Sequence, residues 1–315
     1  MKVLVTGSSG FIGSHIVDKL LAETNYEVLG YDLWFNYDDL RHQLENKRFK
    51  FIKASILDDE KLEKVAKNAN VIIHLAAILG TSETLEKYNP INVVNVNVIG
   101  TLKVLELARK HDNIERVIVP STPDVPWLNP YKITKIAMER FALMYYMYYS
   151  VKTVVLKLTN VYGPRERWPE GPFSAPYSYQ KVVPTFIVNA LLNKPLPIFG
   201  DGTQRADYIY VEDVANAFVK AINSDKAVGR VIPIGTGRTL SVNELADITI
   251  KMTGSKSRKL YLPMRKGEYP VDIAIDTSPA KTHLKFEAKT NIEEGLRKTI
   301  PYYREKLIKL GLLKE

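Results

Sequence analysis

The chain contains no cysteine. Disulfides, thiolate metal sites and thiol nucleophiles are therefore excluded. Its five histidines are scattered, with no pair at metal-ligand spacing, so no metal is expected. Long apolar runs are missing too: none reaches the roughly 18 residues a membrane helix needs. The amino terminus, MKVLVTGSSG, has no charged segment leading into an apolar stretch and a cleavage site. These features predict a soluble, cytoplasmic protein with no membrane partner. Nor is charge of one sign concentrated anywhere. Lys plus Arg (44) exceed Asp plus Glu (35) by nine, but acids are interleaved among the bases as on a solvated surface, and no nucleic-acid partner is expected. With 45% apolar residues in 315 positions, the chain can build a substantial core in one large domain or two modest ones. Its chemistry must run on oxygen, nitrogen or a borrowed cofactor.

Apolar, β-branched runs recur at 2–6, 27–31, 49–53, 71–75, 116–119 and 153–158. Between them lie helical-period segments at 12–23, 59–67, 95–111 and 131–149. Strand alternating with helix predicts an α/β fold with a doubly wound parallel sheet of Rossmann type, covered by helices on both faces. After Asn160 the texture changes. The segment 163–184 carries five prolines and two glycines without a period, and alternation resumes near 207–210 before a largely helical remainder. The expected division is a dinucleotide-binding domain of residues 1–160 plus about 207–240, and a smaller, mostly C-terminal α/β substrate domain of about 161–206 plus 241–315.

The run VLVT enters Gly7-Ser8-Ser9-Gly10-Phe11-Ile12-Gly13 and then a helical pattern. This is the context that gives a glycine fingerprint its meaning: a tight turn at Gly7, close backbone approach to a pyrophosphate at Gly10, and close helix–strand packing at Gly13. The free N–H groups and partial positive charge of the helix start would hold the diphosphate. Asp32 ends the second strand, placed to accept from the ribose hydroxyls of an adenosine and to repel a 2′-phosphate, which favours NAD over NADP. His74 follows the fourth strand and is read as structural.

In order along the chain stand the glycine spacing, HLAA at 74–77, Asn97-Val-Ile-Gly-Thr101, Ser121-Thr122, Tyr131-x-x-x-Lys135, Asn160-Val-Tyr-Gly-Pro-Arg165, the GDGTQ run at 200–204 and DYIYVED at 207–213. Over nearly the whole chain this array resembles the extended short-chain dehydrogenase/reductase family, whose members include nucleotide-sugar epimerases and dehydratases. The resemblance implies an NAD held by Gly7, Gly10, Phe11, Ile12, Gly13, Asp32, Leu75, Ala76, Ala77, Asn97, Tyr131 and Lys135. It implies a nucleotide-diphosphate sugar held by Thr122, Asn160, Val183, Arg205 and Arg265. Tyr131 would take a sugar hydroxyl proton, Thr122 would hydrogen-bond the same hydroxyl, and Lys135 would bind the nicotinamide ribose and support the phenolate. The expected activity is that of a UDP-glucose 4-epimerase-like enzyme, by transient oxidation to a 4-keto sugar; the alternative is a 4,6- or 5,6-dehydratase. A non-catalytic NAD-binding regulator would be expected to lose Tyr131 or Lys135, and both are present.

Local sequence supports that placement. Asn129 is a good N-cap and Pro130 suits the first helical position, so Tyr131 falls in the first turn with Lys135 one turn on. Lowering a tyrosine from pKa ~10 to ~7 takes about 4 kcal/mol, to be shared by an ammonium, the helix start and the nicotinamide ring. Three departures from the family pattern stand out. Only nine positions separate Thr122 from Tyr131, a reach of at most about 30 Å. Pro123 and Asp124 follow the threonine where dehydratases carry an acid–base pair; proline has no proton to give, and Asp124 keeps the alternative open. Position 206 is alanine where relatives have an arginine, with Arg205 one residue early and Arg265 in better agreement. Tyr177 and Tyr179 could stack on the base or anchor their loop. The aromatics of FALMYYMYY at 141–149 occupy every helical face, and relatives pair this helix with a second subunit's, so a homodimer is expected.

Overall fold

The computed structural model describes residues 1–168 and 181–314; Tyr177 and Tyr179 lie outside the described residues. In chain order the strands are β1 (Lys2–Thr6), β2 (Glu27–Asp32), β3 (Phe49–Lys53), β4 (Val71–His74), β5 (Arg116–Ser121), β6 (Thr153–Leu158), β7 (Asn160–Tyr162), β8 (Leu196–Phe199), β9 (Arg205–Tyr210), β10 (Val231–Ile234), β11 (Thr239–Ser241) and β12 (Lys259–Leu262). The helices are α1 (Phe11–Glu23), α2 (Tyr37–Leu44), α3 (Asp59–Ala66), α4 (Thr81–Glu86), α5 (Pro90–Val94), α6 (Gly100–Lys110), α7 (Pro130–Tyr149), α8 (Val182–Leu191), α9 (Val211–Ile222), α10 (Val242–Thr253), α11 (Ser278–Leu284) and α12 (Ile292–Lys309).

Seven strands form one parallel sheet in the order β10-β6-β5-β4-β1-β2-β3. This is the doubly wound sheet the alternation predicts. Its strands read as continuous apolar runs because both faces are buried: Val3 and Val5 enter one core cluster, and Leu4 between them enters the other. The chain winds outward in both directions from β1 and β4, so the crevice at their carboxyl ends is the switch point where such sheets bind ligands. The glycine turn leaves β1 there, and Leu75 leaves β4.

A third core cluster, with Phe186, Leu196, Leu245 and Leu296, joins α8, α10 and α12 to the small sheets β8–β12 and β7–β9–β11. The limits expected from sequence for the first six strands shift by only a few residues. The segment expected as a helix at 95–111 is part of a longer helical run, in which α5 passes into a π-helical turn, Asn95–Ile99, and then α6. By length and composition alone this run, Pro90–Lys110, is apolar enough to cross a membrane. Asparagines interrupt its apolar residues, and in the fold Val93, Asn97, Val104 and Leu105 are buried.

Candidate active site

Gly7 has φ +69, a conformation side chains disfavour, and a Cβ there would lie 2.8 Å from the Ala76 nitrogen. A Cβ on Gly13 would lie 2.1 Å from the Gly7 carbonyl. The first and third glycines therefore bring β1, α1 and the Leu75–Ala77 segment together with no room for a side chain. Gly10 is the N-cap of α1, and Phe11 and Ile12 open its first turn, leaving their N–H groups at the helix start. The buried hydroxyls of Ser8 and Ser9 have no hydrogen-bond partner among the described residues. Orphaned donors in a glycine turn at a helix N-terminus fit a dinucleotide diphosphate. Asp32 accepts from the Ser9 N–H at 3.0 Å and the Leu33 N–H at 2.7 Å, which ties the end of β2 to the same turn. Burial nevertheless raises its carboxyl above the usual range, against the lowering by those bonds.

His74 is buried between the hydroxyls of Thr6, 2.8 Å away, and Thr101, 3.1 Å away. Burial and then Lys135 hold it far below its ordinary value, at about 3, so it is a neutral ring engaged at both nitrogens. Asn97, in the π-helical turn, accepts from the Ile78 N–H and donates to the Ile78 carbonyl and to Thr134 Oγ1. It ties the segment leaving β4 to the helix carrying Tyr131, with both amide hydrogens used inside the protein.

Asn129 caps α7 by accepting from the Lys132 N–H at 2.9 Å, and Pro130 opens the helix, as the sequence predicts. Tyr131 is thereby fixed in the first turn, its own N–H donating to Thr84 Oγ1 at 3.3 Å. Burial first and the Glu83 carboxylate second push its phenol above the ordinary tyrosine value. That runs opposite to the lowering expected from sequence. Lys135 is buried and donates to the Pro120 carbonyl at 3.3 Å, and burial lowers its ammonium to about 8. Thr122 follows β5, buried, and accepts from Lys132 Nζ at 3.0 Å. Asp124 points to solvent, with 77% of its side chain exposed, and pairs with Lys157 at 2.7 Å.

A cavity of about 130 Å³ has a lining that includes Trp127, Asn160, Phe199, Arg205, Arg265 and Tyr269, with Thr122, Tyr131 and Lys135 outside it. Arg265 stacks its guanidinium on the Phe199 ring at 5.0 Å and donates to Glu268 at 3.0 Å. Arg205 reaches the cavity although it starts β9 one residue early; it also meets Glu244 at 3.0 Å and donates to Thr239. Val183 departs from the sequence expectation. It is buried in the core, while Val182, Thr185 and Phe186 line the cavity, because positions i, i+3 and i+4 of α8 share a face that Val183 does not. A larger hollow of about 1010 Å³ lies between α1, α2 and α12, lined among others by His15, Asp18, His42 and Tyr302, and holds none of the residues expected to bind cofactor or sugar.

Two residues of the site were missed in the sequence, Lys132 and Glu83. Glu83 had no local signal. Lys132 did, since a cation in the first turn of a helix opposes the macrodipole and needs a reason to be there.

A sequence profile of the NAD dependent epimerase/dehydratase family matches residues 3–235. A putative UDP-glucose 4-epimerase of Methanocaldococcus jannaschii is 33% identical over 319 residues, covering 96% of this chain and 98% of the relative. The UDP-glucose 4-epimerase of Thermotoga maritima, solved with UDP-glucose, superposes with TM-score 0.84 at 32% identity, covering 98% of this chain and 100% of that one. The UDP-glucuronic acid 4-epimerase of Bacillus cereus, solved with UDP-glucuronic acid and NAD, gives TM-score 0.85 at 30% identity, covering 97% and 100%. With the Rossmann sheet, the glycine turn and the Thr/Tyr/Lys set, these define an NAD-dependent enzyme: the chain belongs to the NAD-dependent epimerase/dehydratase family.

Proposed function

We propose that the protein is an NAD-dependent UDP-sugar 4-epimerase. The observation that carries this reading is at positions 123 and 124: Pro123 offers no proton, and Asp124 is turned to solvent in an ion pair with Lys157. A dehydratase needs an acid–base pair there to remove a C5 proton and expel a hydroxyl, and an epimerase does not. The two arginines at the cavity, Arg205 and Arg265, suit a diphosphate, and holding the nucleotide at one end lets the sugar present either face at the other. When bound, NAD supplies the hydride acceptor and donor that makes the C4 alcohol a ketone and an alcohol again, and brings positive charge beside the phenol. Tyr131 takes and returns the C4 hydroxyl proton. Thr122 holds the same oxygen, and Lys135, carried one turn further along α7, holds the nicotinamide ribose.

Incubation with UDP-, dTDP-, GDP- and ADP-sugars, followed by NMR of the products, tests the reading: inversion at C4 of a UDP-sugar is expected, and loss of water would move the assignment to a dehydratase. The same reading takes the protein as a cytoplasmic homodimer. Tyr146, Met147, Tyr148 and Tyr149 are exposed at the end of α7, Ile133 and Ile136 nearer its start, and Ile91, Val94 and Ile99 on the neighbouring helical run. Such a face suits a second copy, and light scattering should give twice the monomer mass for the wild type and the monomer mass for Tyr148→Glu.

A further inference from the structure

Lys132 stands out among the charged groups near Thr122. It occupies the third position of α7, where the partial positive charge of the helix start disfavours a cation. Only 5% of the residue is exposed, and burial holds its ammonium down at about 8. Two of its three N–H groups are used, on Thr122 Oγ1 at 3.0 Å and the Pro123 carbonyl at 3.1 Å, and it sits over the Trp127 ring at 5.6 Å. Among the described residues no carboxylate lies within ion-pair distance of it, and the acids nearby are otherwise engaged. Glu268 accepts from Arg265 and Thr81, Asp124 pairs with Lys157, and Glu139 takes Ser121 and Lys157. Asp124 and Glu268 act on the ammonium from a distance, and a buried cation at a helix start with a donor to spare and, among the described residues, no carboxylate in contact is an arrangement that an anionic ligand group relieves. In the same turn, the buried Nδ2 of Asn129 also lacks a partner among the described residues.

The position of that cation selects which anion. It touches Thr122, and on the reading of Thr122 and Tyr131 as the pair that holds the sugar C4 hydroxyl, on which this inference rests, its neighbours are the substituents next to C4. The diphosphate is attached at C1, across the ring. The substituent beside C4 that can carry charge is C6, on C5, as a carboxylate. Trp127 spans the interval, lying under the ammonium and lining the cavity with Arg265. We infer that Lys132 is a specificity-determining residue that reads a sugar carboxylate, and that the substrate is a nucleotide-diphosphate uronic acid rather than a neutral hexose.

Titration calorimetry of the NAD-loaded protein with UDP-glucuronate and UDP-glucose decides the matter. Wild type should bind UDP-glucuronate at least about 10-fold tighter, and Lys132→Met should lose about 10- to 100-fold for UDP-glucuronate with a several-fold smaller loss for UDP-glucose, as befits one charge-assisted bond. Lys132→Arg should keep the preference, and Lys132→Gln replaces the methionine variant if that one does not fold. Equal affinity of the wild type for the two sugars, or an equal loss of both on removing the ammonium, overturns the inference. Binding and turnover separate the two readings. A carboxylate preference that depends on Lys132 without C4 inversion removes the epimerase assignment and leaves this one; C4 inversion without the preference does the reverse.

Discussion

The cofactor turn at residues 7–13 and the sugar side around 121–135 leave strands β1 and β5, on either side of β4, and are built by different means. The turn is made of backbone: a left-handed glycine, a glycine whose hydrogen faces a carbonyl, and serines whose hydroxyls await a partner. The sugar side is made of charge, with Lys132, Lys135 and Glu139 all buried. In the turn an added methyl group meets backbone atoms. On the sugar side, on the reading proposed above, a balance among ionised side chains would set which sugar is accepted, and single substitutions would move that balance without dismantling the site.

That contrast can be broken experimentally. The largest effect should come from Tyr131→Phe, which removes the proton acceptor: kcat should fall by about 10²- to 10⁴-fold, with NAD content and sugar affinity nearly unchanged. Full turnover by this variant would end the assignment of the base. Gly13→Ala should fail differently, since its Cβ meets the Gly7 carbonyl: about 1–3 kcal/mol of stability should be lost, together with NAD retention, read by urea unfolding and by absorbance of released cofactor. A variant that kept its cofactor would show the turn to be more yielding than its geometry says.

The two regions should also separate on a pH axis. His15 and His74, both on the cofactor side, are held at about 4 and about 3. Burial is the largest cause for each, so the unfolded chain takes up protons that the folded one refuses. Their contribution is complete above pH ~6.5 and shrinks by about 1.4 kcal/mol per pH unit for each histidine as pH falls towards 4. Lys132 and Lys135 are both lowered from 10.5 to about 8, and burying them as cations is unfavourable below that value. That penalty fades as pH rises from about 8 towards 10. Urea midpoints against pH should show both limbs, with His74→Asn flattening the acid one and Lys132→Met the alkaline one. The smallest effect belongs to Asp124→Asn, where losing an exposed ion pair of about 0.2–1 kcal/mol should change kcat less than about fivefold. A collapse of turnover there would favour dehydration.

The two regions also differed in legibility. Strand–helix alternation and the glycine spacing are carried by local periodicity and by backbone demands that few residues meet, so the sheet and the turn could be read residue by residue. Tyr131 and Lys135 became readable through their cap, Asn129-Pro130. What escaped were contacts made across the fold. Val183 turned inward because the phase of α8 decides which of its side chains meet the cavity. Lys132 falls at an unspecified position of Tyr-x-x-x-Lys, and its burial comes only from the fold, which closes Thr122 and Trp127 around it. The raised phenol of Tyr131 comes from its burial first and from Glu83 second, and no spacing rule connects either to the sequence around it.

The bridge from Thr122 to Tyr131 has a thermodynamic consequence. Pro123, Pro126 and Pro130 punctuate nine positions, and proline narrows the conformations an unfolded chain can sample. Much of the disorder that would otherwise have to be frozen when sugar arrives is thus absent from the chain beforehand. On the proposed reading, the free energy of nucleotide-sugar binding would not be drawn down by organising this segment.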